Sequence, residues 1–300
     1  MKIIYTPALC DHCNDIQFSV IDLETLEETH HGHYIKFNTD RYTSDRTDHF
    51  RHRPFGITWN DEHLFIANRT NLIKFDKNFN QLNHYDIYHG NPHQILEIDG
   101  KIYATDTAVN AISVFDLETE KVEKLYDLDS SSEVVIDRRI HIRELDKNHL
   151  NSLHFDGQYL YALFHNWRKK NSEILKCDLD LNVIDRYFTK AQLAHCVFKD
   201  RGLVSVLDTG ITGYLVREDD SCLQAKHLKH DFIRGYASNK DFHIIGLSHR
   251  ELEQFKQGAR ILTINKNTYE RKIVNLSCDE LADLRILDEY DLSHNKRGFI

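Results

Sequence analysis

The chain has 300 residues, 41% of them hydrophobic and 28% charged, with a formal net charge of -9. That is enough apolar material for a large core, and the acidic balance argues against nucleic acid, which demands a basic footprint. No apolar run approaches the roughly 20 residues that span a bilayer, no basic amphipathic helix is visible and no cleavable leader precedes the first strand-like residues, so the expectation is a soluble cytoplasmic protein without membrane docking.

Alternation with a period near 2 begins at once, in residues 2–6 and again in 15–22, and ends in the turn Asp22-Leu23-Glu24-Thr25. After a polar stretch, 34–53, the segment Arg53-Pro54-Phe55-Gly56-Ile57 leads into alternating stretches 62–67 and 71–76. Asn91-Pro92-His93-Gln94-Ile95 leads into 101–105 and 111–116, closed by Asp116-Leu117-Glu118-Thr119, the same turn as the first. His149-Leu150-Asn151-Ser152-Leu153 precedes 159–164 and 173–178. Leu193-Ala194-His195-Cys196-Val197 precedes 202–207 and 213–217, and Ile233-Arg234-Gly235-Tyr236-Ala237 precedes 242–247 and 259–265. Asx-led turns close these pairs because the side chain caps the local backbone. A helical period shows only at 250–257, as one or two turns within a loop.

The copies recur every 40 to 60 residues or so, the spacing of four-stranded propeller blades with unequal loops. The predicted fold is therefore all-β, a single six-bladed β-propeller over residues 1–300, with a pair of β-sandwiches as the rival. The blades fall at 53–88, 91–128, 148–190, 193–230, 233–277, and 281–300 joined with 1–33. The first copy lacks an innermost strand, and Leu284-Arg285-Ile286-Leu287 is an apolar segment with no strands after it. The C-terminal strand is thus expected to complete the N-terminal blade, which removes the open edges of the array.

The phrases Pro54-x-Gly56-Ile57 with Leu64-Phe65-Ile66-Ala67-Asn68, and Pro92-His93-x-Ile95 with Ile102-Tyr103-Ala104-Thr105-Asp106, carry a likeness at the level of repeat shape. In them the chain resembles the six-bladed propellers of the NHL, strictosidine-synthase and virginiamycin-B-lyase-like superfamily. The resemblance implies the fold; because that superfamily holds lyases, lactonases, condensing enzymes and binding modules, it implies no single activity.

Aligning the repeats places Phe55, His93, Asn151, His195 and Arg234 at one equivalent position near the start of each inner strand, facing the channel mouth. The loops returning to that face carry Asn68-Arg69, Asp106, His165-Asn166-Trp167-Arg168, Asp208-Thr209, Ser248-His249-Arg250 and Cys10-Asp11-His12-Cys13, and the leading loops add His49, His52, Arg53, His141 and His149. A slip of one residue would turn any of these away. His93, His195, and His149 or His249 could hold a divalent metal ion (Zn, Mn, Fe or Cu); the alternatives are a metal-free catalytic or binding histidine cluster and, blandest, imidazoles hydrogen-bonded across a wet channel. Arg234 suits a carboxylate, sulfate or phosphate, or an ion pair to Asp208. Trp167 reads as a platform at a loop tip. The lone Cys10/Cys13 pair lacks the second knuckle of a structural zinc site and the following helix of a redox motif. Asp106-Thr107 and Asp208-Thr209 read first as turn caps. No nucleophile elbow, phosphate loop or dinucleotide fingerprint occurs.

The expected function is a metal-dependent enzyme, a lyase or hydrolase or else an oxygenase, acting on a small anionic or sugar-acid-like substrate. His149, His165 and Arg234 are its catalytic candidates. Arg53, Asp106, Asn151, Trp167, Arg168, Asp208 and Arg250 are its ligand contacts. The alternative is a non-catalytic propeller that binds a small ligand or a protein at the same face through Trp167 and the loops 34–53 and 129–148.

Overall fold

The computed structural model describes residues 1–9, 16–32, 54–87, 90–134, 146–210, 213–217, 219, 221–225, 231–249 and 258–300. Strands β1 (Lys2–Leu9), β2 (Phe18–Asp22) and β3 (Glu28–His31) open the chain. Blade one is β4 (Pro54–Trp59), β5 (Leu64–Asn68), β6 (Asn71–Phe75) and β7 (Gln81–Asp86). Blade two is β8 (Pro92–Ile98), β9 (Lys101–Asp106), β10 (Ala111–Asp116) and β11 (Lys121–Asp127), with a short fifth strand, β12 (Ser132–Glu133), on its outer edge. Blade three is β13 (Leu150–Phe155), β14 (Leu160–Phe164), β15 (Glu173–Cys177) and β16 (Val183–Phe188). Blade four is β17 (His195–Asp200), β18 (Leu203–Leu207), β19 (Tyr214–Arg217) and β20 (Cys222–Gln224), and blade five is β21 (Asp231–Ser238), β22 (Phe242–His249), β23 (Arg260–Asn265) and β24 (Arg271–Asn275). The last strand, β25 (Glu280–Ile286), pairs antiparallel with β1, so the sixth sheet runs β25-β1-β2-β3. The ring is closed between the two ends of the chain, as expected.

The alternation explains the packing. In blade three Leu160, Ala162 and Phe164 face blade two, while Tyr161 and Leu163 face blade four. In blade six Ile3 and Tyr5 face blade five, and Ile4 faces blade one. Each blade is apolar on both faces because each is sandwiched, and a buried cluster fills each of the six interfaces.

One departure from the expected layout changes the shape of the channel. Residues 287–300 do not belong to blade six; they cross the end of the ring where the inner strands finish. There His154 Nδ1 donates to Ser293 O (2.6 Å), Ser293 Oγ to Tyr236 O (3.3 Å), Leu292 N to Ser238 O (2.7 Å) and Trp59 Nε1 to Arg297 O (2.8 Å). Asp291, Ser293 and His294 are buried. This tail binds blades one, three and five at the base, leaving the opposite end, where the inner strands begin, as the mouth.

Burial holds three imidazoles at and beside this base in the neutral form, pushing His154 and His243 down to about 4 and His294 to about 3. Unfolding frees each to take a proton near its ordinary value of about 6.5. Their stabilisation is whole above pH 6.5 and is lost as the pH falls toward 3–4. Asp283, pushed up to about 6 by burial, works in the opposite sense between pH 6 and about 4, one group against three. Urea unfolding between pH 7.5 and 5 is therefore expected to show stability dropping by at most about 3 kcal/mol per unit below pH 6, about 1.4 for each imidazole less about 1.4 for Asp283; a flat profile would contradict the neutral assignments.

Candidate functional site

Each inner strand is interrupted at the same height. The ladder shifts between Pro54 and Ile57, Pro92 and Ile95, Leu150 and Ser152, His195 and Val197, and Ile233 and Tyr236, and on β25 at Ala282. A bulge inserts extra residues and re-aims their side chains. Here the extra residues form two tiers around the axis: an upper one of Phe55, His93, Asn151, His195, Arg234 and Ala282, and a lower one of Gly56, Gln94, Ser152, Cys196, Gly235 and Asp283. Apart from Gly56, all of them line one narrow cavity, with about 20 Å³ open to the centre of a water-sized sphere.

The lower tier is occupied with the fold. A bulge removes an inner-strand N–H from its ladder, and a buried N–H must be paired. The preceding blade pairs it: Gln94 Oε1 accepts from Leu153 N (2.7 Å), Ser152 Oγ from Val197 N (2.7 Å) and Asp283 Oδ2 from Ile57 N (3.2 Å). Ser152 Oγ in turn donates to Gln94 Oε1 (2.7 Å), and the buried Arg285 guanidinium pairs with Asp283. Gly56 has no side chain because a Cβ there would stand 2.6 Å from Ile95 N, and Gly235 takes φ +73 against Leu284.

The upper tier and its loops bring histidines from three blades together. Ring centroids are 4.9 Å apart for His93–His149, 4.9 Å for His149–His165 and 5.2 Å for His165–His195. Phe55 lies 5.2 Å from His93 and Phe232 lies 5.3 Å from His195, so the row has an aromatic ring at each end. The Arg234 guanidinium sits over Phe232 at 4.9 Å. His149, His165, His93, His195, Asn151 and Arg234 are thus gathered at the mouth, and the Trp167 ring lies on His149 at 4.1 Å.

Local partners settle the tautomers. His93 Nδ1 lies 2.8 Å from Asn91 O and 3.0 Å from Thr107 Oγ1, whose own proton goes to Leu150 O at 2.6 Å. His195 Nδ1 repeats the arrangement with Leu193 O (3.0 Å) and Thr209 Oγ1 (3.0 Å), and Thr209 donates to Ile233 O. A carbonyl only accepts, so both Nδ1 atoms carry the hydrogen and both lone pairs are on Nε2. His149 Nδ1 faces Asp146 Oδ2 at 2.9 Å, a carboxylate that orients it the same way. His165 is reversed, its Nδ1 accepting from Trp167 N (3.3 Å). By register it fills the place in blade three that Thr107 and Thr209 fill in blades two and four. Burial first, then Arg234 and the other three imidazoles, hold His195 well below the usual histidine range, so it is neutral.

Asp106 Oδ1 accepts from Gly90 N (3.0 Å) and Asp208 Oδ1 from Gln192 N and Gly210 N (both 3.2 Å), so both tie loops, in line with the turn-cap reading. Arg168 is exposed on the Trp167 loop. His249 ends β22, with only its backbone described; Arg53, Arg250, Cys10 and Cys13, and the helical stretch 250–257, lie outside the described residues. Among the described residues no three His, Cys, Asp or Glu side chains are placed to hold one metal ion. Sequence reading missed Asp146 and the anchoring role of Thr107 and Thr209, although the repeated Asp-Thr pair opposite each channel histidine was its signal.

The Trp167 loop is strained. Asn166, Trp167 and Arg168 have φ of 63, 49 and 60°, three non-glycine residues in succession in the left-handed region. Asn166 N bonded to Asn148 O (2.8 Å) and Lys169 N to Asn166 O (2.8 Å) hold it there. Replacing the exposed Arg168 by Gly should raise unfolding free energy by about 1 kcal/mol, whereas Ser152→Ala, which strands Val197 N, should lower it by about 1–3 kcal/mol. Denaturant titration reads both, and the reverse order would contradict the division between strained mouth and stapled base.

No protein-family model matches the sequence, and no curated protein matches it. Among solved structures the chain is similar to one from a nidogen–laminin complex (TM-score 0.61, 10% identity, 95% of this chain and 98% of that one). It is also similar to a protein of unknown function from Bacteroides caccae (TM-score 0.58, 8% identity, 95% and 98%) and to Kuenenia stuttgartiensis hydrazine synthase (TM-score 0.50, 10% identity, 87% and 90%). At such identities these likenesses show the fold alone: the chain is a six-bladed β-propeller, and its resemblance to known propellers is one of fold.

Proposed function

We propose that the channel mouth is the site of an enzyme that acts on a small anionic substrate by imidazole acid–base chemistry, in the manner of a lyase or hydrolase. The observation that carries this reading is the row of His93, His149, His165 and His195 ending beside Arg234. Arg234 would hold the anionic group through its planar fork. His149, with Asp146 on its Nδ1, has the backing of a general base, its Nε2 being the nitrogen that takes the proton. His165, hydrogen-bearing on Nε2 when neutral, could return it. Trp167 packs against this pair, tilted on His149 and edge-on to His165, and covers it on one side.

A divalent ion on His93, His195, and His149 or His249 is the second reading. The anchoring of Nδ1 to a carbonyl or carboxylate in three of the imidazoles favours it, since such contacts orient metal-bound histidines; the spacing of the described side chains, no three of which are placed for one ion, and the charge of Arg234 at the same wall oppose it. A bound ion would polarise a substrate carbonyl or carboxylate.

Thermal unfolding with a panel of small carboxylates and sugar acids tests the first reading. Arg234→Gln should lose most of the stabilisation by anions while its ligand-free melting temperature stays near that of the wild type. Equal stabilisation of both proteins would remove Arg234 from the site. His149→Gln should abolish turnover but keep binding, and binding without turnover in the wild type would leave a binding module. Elemental analysis of protein purified without a histidine tag separates the second reading, which requires stoichiometric Zn, Mn, Fe or Cu that disappears in His93→Ala and His195→Ala.

A further inference from the structure

We propose that the upper tier recognises a hydroxyl group carried by a small carboxylate, a hydroxy acid whose hydroxyl enters the ring while its carboxylate faces Arg234. This rests on the reading of the mouth as an anion site and names the class of molecule it takes.

The polar groups of the tier have already spent their protons. His195 gives its N–H to a backbone carbonyl, so its imidazole is left basic at Nε2. Asn151 donates Nδ2 to Ala194 O (3.1 Å), which fixes its amide, and its Oδ1 is a buried acceptor with no hydrogen-bond partner among the described residues. Blades three and four thus present lone pairs to the cavity. A carboxylate or phosphate oxygen has no proton to offer and would meet them lone pair to lone pair. The group that belongs among them must donate, which leaves water, a hydroxyl, an ammonium or a metal cation, water being what a substrate hydroxyl would displace.

Charge chooses among these. Arg234 lines the same cavity, and its field helps to keep the proton off His195. An ammonium or a metal ion would meet that same repulsion; a neutral hydroxyl does not. A carboxylate attached to the hydroxyl-bearing carbon gains from the guanidinium what it would lose among the acceptors. Size agrees, since about 20 Å³ has room for a water-sized group. Phe55 lines the same cavity and suits the carbon skeleton.

Isothermal titration of the full-length protein at pH 7.5 tests this with matched pairs: glycolate against acetate, and D-gluconate against hexanoate. At least about a tenfold preference for each hydroxy acid is expected, because a buried acceptor left unpaired by the deoxy analogue penalises it. Asn151→Leu should bring the ratio toward one, and Arg234→Gln should weaken hydroxy and deoxy acids alike; circular dichroism confirms that both variants fold, and the wild-type ratio stands without them. Acetate binding as tightly as glycolate would overturn the hydroxyl preference and leave the anion site standing. Methylammonium or Zn²⁺ binding more tightly than glycolate would overturn the choice by charge. Failure of every acid to bind would overturn both this inference and the anion reading beneath it.

Discussion

The molecule depends on how a bulged inner strand satisfies the N–H that its bulge sets loose. In blades one, three and four the answer is a side chain of the preceding blade: Asp283 reaches Ile57, Gln94 reaches Leu153 and Ser152 reaches Val197. Without these bonds a bulge in the middle of the protein would be a buried, unpaired donor costing about 1–3 kcal/mol at each blade. With them, each of these three bulges also joins two neighbouring sheets. The lower tier is polar for this structural reason, and its Asp283–Arg285 pair is the counterpart of that use, an acid kept in the core because it accepts from backbone on one side and a guanidinium on the other.

Once the lower tier has taken up the backbone's needs, the residue before it in each strand is released to face the channel. That is why the upper tier can differ so much from blade to blade while the strands beneath it stay alike. Blades two and four are near twins, each with a histidine anchored by a threonine that also bonds the next blade. Blade three breaks the pattern by putting His165 where the others have threonine, and the strained turn at Asn166, Trp167 and Arg168 follows directly. Strain of this kind persists where surrounding bonds overdetermine it, and it occurs here beside the densest group of titratable side chains at the mouth.

Much of this was legible in the residues. The recurring alternation gave six blades, the apolar 284–287 stretch gave the closing strand, and the phrases ending in Ile57, Ile95, Leu153, Val197 and Ala237 brought Phe55, His93, Asn151, His195 and Arg234 to one cavity. Other features were not, for physical reasons. Residues 287–300 have no strand period, so nothing local shows that His294 and Ser293 will seal the base against His154 and Gln94. Asp146 is one acid among many until folding sets it 2.9 Å from His149. A tautomer is decided by which carbonyl lies nearest, and that depends on the left-handed backbone at Asn91 and Leu193, which their sequence does not announce.

The account turns on His195 being neutral with its hydrogen on Nδ1. Two-bond ¹H–¹⁵N NMR of the imidazoles distinguishes the protonated from the lone-pair nitrogen directly. At pH 7 the His195 resonances should show a protonated Nδ1 and a bare Nε2, and the ring should still be neutral at about pH 6.5, where an ordinary histidine is half protonated. A cationic ring at pH 7, or a hydrogen on Nε2 instead, would contradict the acceptor-lined mouth from which the site is built.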